Sequence, residues 1–136
     1  MNQLPGTLEA LVVRTDFSAG GAWDELREAL FSPNKDGFLA NVAIVDDRMY
    51  EGLTADQALG LIPERYQHSL LVLADAVSMT SAVQPLLVVD LWAERGRCVR
   101  VAAAELWSIE NNLSGANMDF EEFVDAVDDD GVFRGF

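Results

Sequence analysis

Four aspartates at the ends of predicted strands are the first residues whose type and spacing could support chemistry. Asp16 follows the first predicted strand, Asp46 and Asp47 follow the second, and Asp75 follows the third. The carboxyl ends of parallel strands share one edge of a sheet, where open α/β sheets bind ligands. Carboxylates suit Mg²⁺, so parallel strands here would predict a Mg²⁺-dependent hydrolase or phosphoryl-transfer enzyme. The alternative is that each aspartate satisfies turn and helix-cap donors.

A second candidate site surrounds Glu110, which falls on the apolar face of a predicted helix. A half-buried carboxylate needs a hydrogen-bonding partner, or its pKa rises. The density of polar neighbours predicts a recognition pocket made by Trp107, Glu110, Asn111, Asn112 and Asn117. The alternative is a structural network in which Glu110 bonds an arginine or the backbone amides at the Ser114-Gly115 break.

The third candidate is the run Asp128-Asp129-Asp130. A helix is predicted to begin after Asp119 and to end at Gly131, which places these acids at its C-terminus. Acidic side chains there oppose the helix dipole, and local rules are broken most often at functional positions. The run therefore predicts a docking surface for a basic partner, with a solvated helix end partly compensated by Arg134 as the alternative.

The sequence has few of the residues that conventional catalytic and metal-binding sites require. Cys98 is the only cysteine and His68 the only histidine, so a Ser-His-Asp arrangement would have to use His68. One chain therefore cannot form a cysteine-cluster or two-histidine metal site. No cofactor is predicted, apart from Mg²⁺ in the alternative interpretation.

The net charge of −14 at pH 7 argues against nucleic-acid binding, which needs clustered lysine and arginine. More than half of this charge lies in residues 105–136, which have one base, Arg134, and nine acids. A surface of this kind favours cationic partners and raises their association rates. The nine acids are Glu105, Glu110, Asp119, Glu121, Glu122, Asp125, Asp128, Asp129 and Asp130.

No run of apolar residues approaches the ~20 needed to span a membrane, and the first residues lack the pattern of a signal peptide. We therefore expect a cytoplasmic protein without membrane contacts.

The elements that must position these residues alternate between strand and helix. Their predicted order is β-α-β-α-β-(α)-β-β-α-α, over a single domain of residues 1–136. The order predicts an α/β fold of three layers, with a mostly parallel mixed sheet of about five strands. A late antiparallel hairpin, predicted at the sheet edge, and two C-terminal helices complete it.

Several stretches resemble a family of small acidic actinobacterial (Streptomyces-type) proteins classed as a domain of unknown function. They are LVVRTDFS at residues 11–18, LLVVDL at 86–91, ELWSIENNL at 105–113, NMDFEEF at 117–123 and DGVFRGF at 130–136. The resemblance covers nearly the whole chain and implies a bacterial cytoplasmic setting. It implies no activity, cofactor or catalytic residue.

The leading functional hypothesis is a non-enzymatic interaction module, immunity-like or regulatory, that binds a basic protein through its acidic C-terminal helices. It rests on the charge of residues 105–136 and on the lack of a recognisable nucleophile–base pair. The alternative is the Mg²⁺-dependent enzyme that would use the strand-end aspartates.

Overall fold

The computed structural model describes residues 2–136. The strands are β1 (Ala10–Arg14), β2 (Val42–Val45), β3 (Leu70–Ala74), β4 (Pro85–Asp90), β5 (Cys98–Ala102) and β6 (Val132–Phe133). The α-helices are α1 (Gly20–Leu30), α2 (Ala55–Leu59), α3 (Ala76–Thr80), α4 (Leu106–Ser114) and α5 (Phe120–Val124). Two 3₁₀ turns lie at Arg48–Tyr50 and Ala103–Glu105.

All six strands form one mixed sheet in the order β2-β1-β3-β4-β5-β6. The β1–β2, β1–β3 and β5–β6 pairs are parallel, and the β3–β4 and β4–β5 pairs are antiparallel. The predicted α/β class with a mixed sheet is confirmed. The sheet has six strands rather than about five, because Val132–Phe133 pairs with β5. The predicted hairpin of β4 and β5 is present, but β6 covers β5 and takes the edge position.

Apolar clusters pack against both faces of the sheet, as the continuous apolar runs of β3 and β4 predict. Alternate side chains of a strand point to opposite faces, so Val12 and Val72 join one cluster while Leu11 and Leu71 join the other. The first cluster is covered by α1, α3, α4 and α5. The second is covered by the chain start, the Arg48–Tyr50 turn and α2.

One strand and one helix are shorter than the sequence predicts. In each, some of the predicted residues form a turn instead. The apolar residues from Phe38 to Val45 predict one strand, but β2 is confined to Val42–Val45. The side chain of Asn34 accepts from the N–H groups of Asp36 and Phe38 and bends the chain there. The last predicted helix ends at Val124 instead of Gly131, because the following residues turn back to place β6 beside β5.

None of the helices in residues 2–136 is long and apolar enough to cross a membrane.

Candidate functional site

An acidic surface is formed by α5 and the turn that follows it. Seven carboxylates lie between residues 119 and 130, and all seven are exposed: Asp119, Glu121, Glu122, Asp125, Asp128, Asp129 and Asp130. Arg97 forms an ion pair with Glu121, and Arg134 forms ion pairs with Asp128 and Asp130. The other four acidic side chains form no ion pair within residues 2–136. We call these seven residues the acidic surface.

The predicted placement of Asp128, Asp129 and Asp130 at a helix C-terminus is wrong, because α5 ends at Val124. They form a turn closed by a hydrogen bond from the Asp128 N–H to the Val132 carbonyl, at 3.0 Å. Arg134 donates to Asp130 at 2.8 and 2.6 Å, and this contact lowers the pKa of Asp130 to about 2. The three acids therefore do not oppose a helix dipole, and Asp129 is the one of them that forms no ion pair inside the described range 2–136.

Glu110 lies at the centre of a hydrogen-bonded network and is only 3% exposed. Its Oε1 accepts from the backbone N–H of Asn41 at 2.6 Å, and its Oε2 contacts His68 Nε2 at 3.2 Å. The Ser114 hydroxyl donates to the same Oε2. Burial alone would raise the pKa of Glu110, but the hydrogen bonds from His68, Ser114 and Asn41 outweigh it and lower that pKa. Glu110 is therefore held as a carboxylate.

The contact between Ser114 and His68, with Oγ 3.0 Å from Nε2, does not form a nucleophile–base pair. His68 Nδ1 accepts from the backbone N–H of Leu70 at 3.1 Å, which places the proton of a neutral ring on Nε2. That nitrogen then donates to Glu110 and has no lone pair to accept the proton of Ser114. The arrangement thus fastens α4 to the segments before β2 and β3.

The other members of the predicted recognition pocket point in different directions. Asn111 donates to the carbonyl of Leu39 at 3.2 Å, and Asn112 donates to that of Ser108 within its own helix at 2.8 Å. Trp107 stacks on Phe38 with ring centroids 5.0 Å apart. Of the five residues predicted to form the pocket, only Asn117 lines the groove that lies between the α4–α5 turn and the loop after β4.

The strand-end aspartates lie at the carboxyl edge of β2, β1 and β3, which are parallel as that hypothesis requires. Asp16 and Asp75 line one cleft of about 340 Å³ between β1 and β3, the point at which the strand order reverses direction. Asp46 and Asp47 do not line it. Within residues 2–136, no group of three or more histidine, cysteine or acidic side chains is arranged to hold a metal ion.

Each of these four carboxylates also has a local partner. Asp75 accepts from both terminal nitrogens of Arg100 at 2.8 Å, and Asp46 contacts Arg14 at 3.2 Å. Burial would raise the pKa of Asp75, but Arg100 and the cap of α3 lower it. Asp16 accepts from Ser18, and Asp47 caps the Arg48–Tyr50 turn. The Mg²⁺ interpretation stays a prediction. The turn and cap alternative describes the contacts of Asp16 and Asp47 and the cap that Asp75 forms on α3, but not the ion pairs with arginine.

The groove beside Asn117 brings together residues that the sequence did not single out. Trp92, Met118 and Ser69 line it together with Asp119 and Glu122 of the acidic surface. Trp92 lies two residues after the end of β4, and an aromatic residue in the loop of a hairpin is the signal that could have identified it. Ser69 gave no signal, because its environment depends on the antiparallel pairing of β3 with β4.

No curated protein matches this chain. Residues 9–136 match a family described as a domain of unknown function (DUF6924), in agreement with the resemblance to a domain of unknown function. The chain therefore belongs to the DUF6924 family.

Proposed function

We propose that the protein is a non-enzymatic interaction module, with a regulatory or immunity-like role, that binds a basic protein partner through the acidic surface. The observation that carries the proposal is the exposure of seven carboxylates within residues 119–130, of which four form no ion pair with any residue that the structure describes. Repulsion among them is relieved when a cationic surface docks, and their field raises the rate of encounter.

The fold supplies a firm base for this surface. Phe120 and Phe123 of α5 are buried in the core, and the Asp119 side chain caps the helix by accepting from the Glu122 N–H at 3.2 Å. Phe133 of β6 packs edge to face on Phe123, with ring centroids 5.1 Å apart. The carboxylates are thereby presented on an ordered segment, so a partner need not order that segment on binding.

The test compares two fourfold variants that change the net charge equally. The surface variant replaces Asp119, Asp125 and Asp129 with asparagine and Glu122 with glutamine. The control variant makes the same replacements at exposed acids elsewhere: Asp24, Asp36, Asp56 and Glu28. Both variants carry four fewer negative charges, so a difference between them reports the position of the charges and not their number.

Binding is measured by calorimetry with an acetylated, amidated hexa-arginine peptide at about 0.05 M and 0.15 M salt. At roughly 0.5 kcal/mol for each exposed pair, the surface variant should lose about 30-fold in affinity, and the control variant should lose much less. Higher salt should weaken binding to the wild type more than binding to the surface variant. Equal losses in the two variants would contradict the proposal.

A further inference from the structure

A groove of about 400 Å³ lies at one end of the acidic surface, between the loop after β4 and the turn from α4 to α5. Its volume is within the range of small-ligand pockets. Leu113, Met118 and Phe120 supply apolar wall, and Trp92 supplies an aromatic one.

Ser69 lines this groove and carries an unsatisfied polar atom. The residue is only 6% exposed, and its hydroxyl has no hydrogen-bond partner within residues 2–136. Buried polar side chains nearly always have a partner, and leaving one unpaired is destabilising. The serine is therefore positioned for a group that enters the groove from outside the chain.

Trp92 combines an exposed ring with a fixed backbone. The residue is 66% exposed, yet its backbone N–H donates to the buried carboxylate of Asp90 at 3.0 Å. Asp90 also accepts from the N–H groups of Ala93 at 3.2 Å and Glu94 at 2.8 Å. A loop held in this way presents the indole to solvent at little entropic cost on binding, and tryptophan is enriched among residues that dominate binding energies.

The charged groups of the groove are all acidic. Asp90, Asp119 and Glu122 line it, and among the residues that the structure describes no lysine, arginine or histidine does. The α5 cap uses Oδ1 of Asp119 and Oε2 of Glu122, which leaves Oδ2 and Oε1 without hydrogen bonds from residues 2–136. The groove thus offers two free carboxylate oxygens and an aromatic face, with the unpartnered Ser69 hydroxyl buried in its wall.

We propose that this groove receives an arginine side chain of the basic partner. A guanidinium group has five donors in one plane and stacks on aromatic rings. It can therefore stack on Trp92 and donate to the free carboxylate oxygens at the same time. The Ser69 hydroxyl accepts one further N–H, and the apolar wall covers the aliphatic stem. This inference rests on the proposed function, because it names the anchoring residue of the same basic partner.

The direct test titrates ¹⁵N-labelled protein with N-acetyl-argininamide. We expect a saturable shift of the Trp92 indole N–H signal and of the Ser69 amide, at millimolar concentration. The neutral isostere N-acetyl-citrullinamide should produce no such shift, because it lacks the charge. The Trp92→Ala variant assigns the indole signal and should lose the Ser69 shift, while Phe31→Ala, at an exposed aromatic residue outside the groove, should keep it.

A second measurement uses the hexa-arginine peptide. Trp92→Ala should weaken its binding by about 10- to 30-fold, and Ser69→Ala should weaken binding while leaving the thermal midpoint unchanged or higher. The second result separates a ligand-facing serine from a merely structural one, whose loss would lower the midpoint.

The outcomes distinguish this inference from the proposed function. Shifts confined to residues 125–130, with Trp92 unchanged, would overturn the groove and leave the acidic surface intact. An arginine-specific Trp92 shift, with peptide binding weakened by Asp119→Asn with Glu122→Gln but not by Asp125→Asn with Asp129→Asn, would support the groove and remove the rest of the acidic surface. No shift with arginine, or an equal shift with citrulline, would overturn the groove.

Discussion

At the scale of single residues, Glu110 shows how a carboxylate on an apolar helix face is tolerated. Three donors reach its two oxygens, and one is the N–H of Asn41 in the segment that leads into β2. Losing an acceptor in such a network leaves buried donors unsatisfied, which costs more than the hydrogen bonds contribute. Glu110 therefore holds the segment before β2 against α4.

We expect Glu110→Gln to lower the free energy of unfolding by about 1–3 kcal/mol. An amide has one oxygen, so its NH₂ group must face either the Asn41 N–H or the donors on the other side. Urea unfolding measures the loss. Glu28→Gln, at an exposed position of α1, is the matched control, expected to stay within roughly 0.5 kcal/mol. A loss no larger than the control's would refute this account of the network.

The same residue makes the stability dependent on pH. The pKa of Glu110 is lowered below its usual value of 4.5 in the folded protein, so the unfolded chain binds its proton first as pH falls. The stabilisation is present above about pH 4.5 and is lost as pH falls through the folded pKa. Asp75, whose folded pKa is also lowered, acts in the same direction below about pH 4. Glu110→Gln should therefore show a shallower decline in stability than the wild type between about pH 5 and pH 3.

At the scale of elements, the turn between α4 and α5 contains an unfavourable backbone conformation. Ala116 has a φ of +55°, a left-handed conformation that costs a residue with a Cβ about 1 kcal/mol or more. The adjacent Gly115 has a φ of −83°, but a Cβ added there would lie 3.0 Å from the Asn117 side chain and 3.2 Å from the Asn111 carbonyl. Glycine at position 115 thus avoids two tight contacts, while the left-handed conformation falls on its neighbour.

We expect Ala116→Gly to raise the free energy of unfolding by about 0.5–1 kcal/mol, because glycine adopts this conformation without strain. Ala104→Gly is the control, since Ala104 is exposed in a 3₁₀ turn with ordinary backbone angles, and it should lower stability by a similar amount. Urea unfolding of the two variants should give changes of opposite sign. A loss of stability in both would show that Ala116 is not strained.

The sequence predicts elements better than it predicts what lies between them. Apolar periodicity in α1 and the capping box at Thr54 identify those helices directly, because both signals are local. The end of α5 and the pairing of β6 depend on contacts between residues that are distant in the sequence. The local sequence pattern therefore placed the acids of residues 128–130 at a helix end, where they do not lie. The groove was missed for the same reason, since Ser69 and Met118 meet only after β3, β4 and α4 have packed.

At the scale of the whole molecule, a net charge of −14 acts against compactness. Like charges repel more strongly when folding brings them together. The acidic surface places seven carboxylates on twelve consecutive residues, with arginine partners for three. Exposed ion pairs of this kind contribute little stability, so the repulsion is only partly offset.

Raising the salt concentration should therefore stabilise the protein. Between about 0.01 M and 0.15 M ionic strength the screening length falls from about 30 to 8 Å, and we expect the thermal midpoint to rise by about 3–6 °C, or roughly 1–2 kcal/mol. The surface variant should melt higher at low salt and show a smaller rise. The control variant, whose four neutralised acids are scattered over α1, α2 and the loop before β2, should keep most of the rise. Equal rises in the two variants would mean that the repulsion is spread evenly over the molecule, and the acidic surface would then hold no concentrated electrostatic energy for a basic partner to relieve.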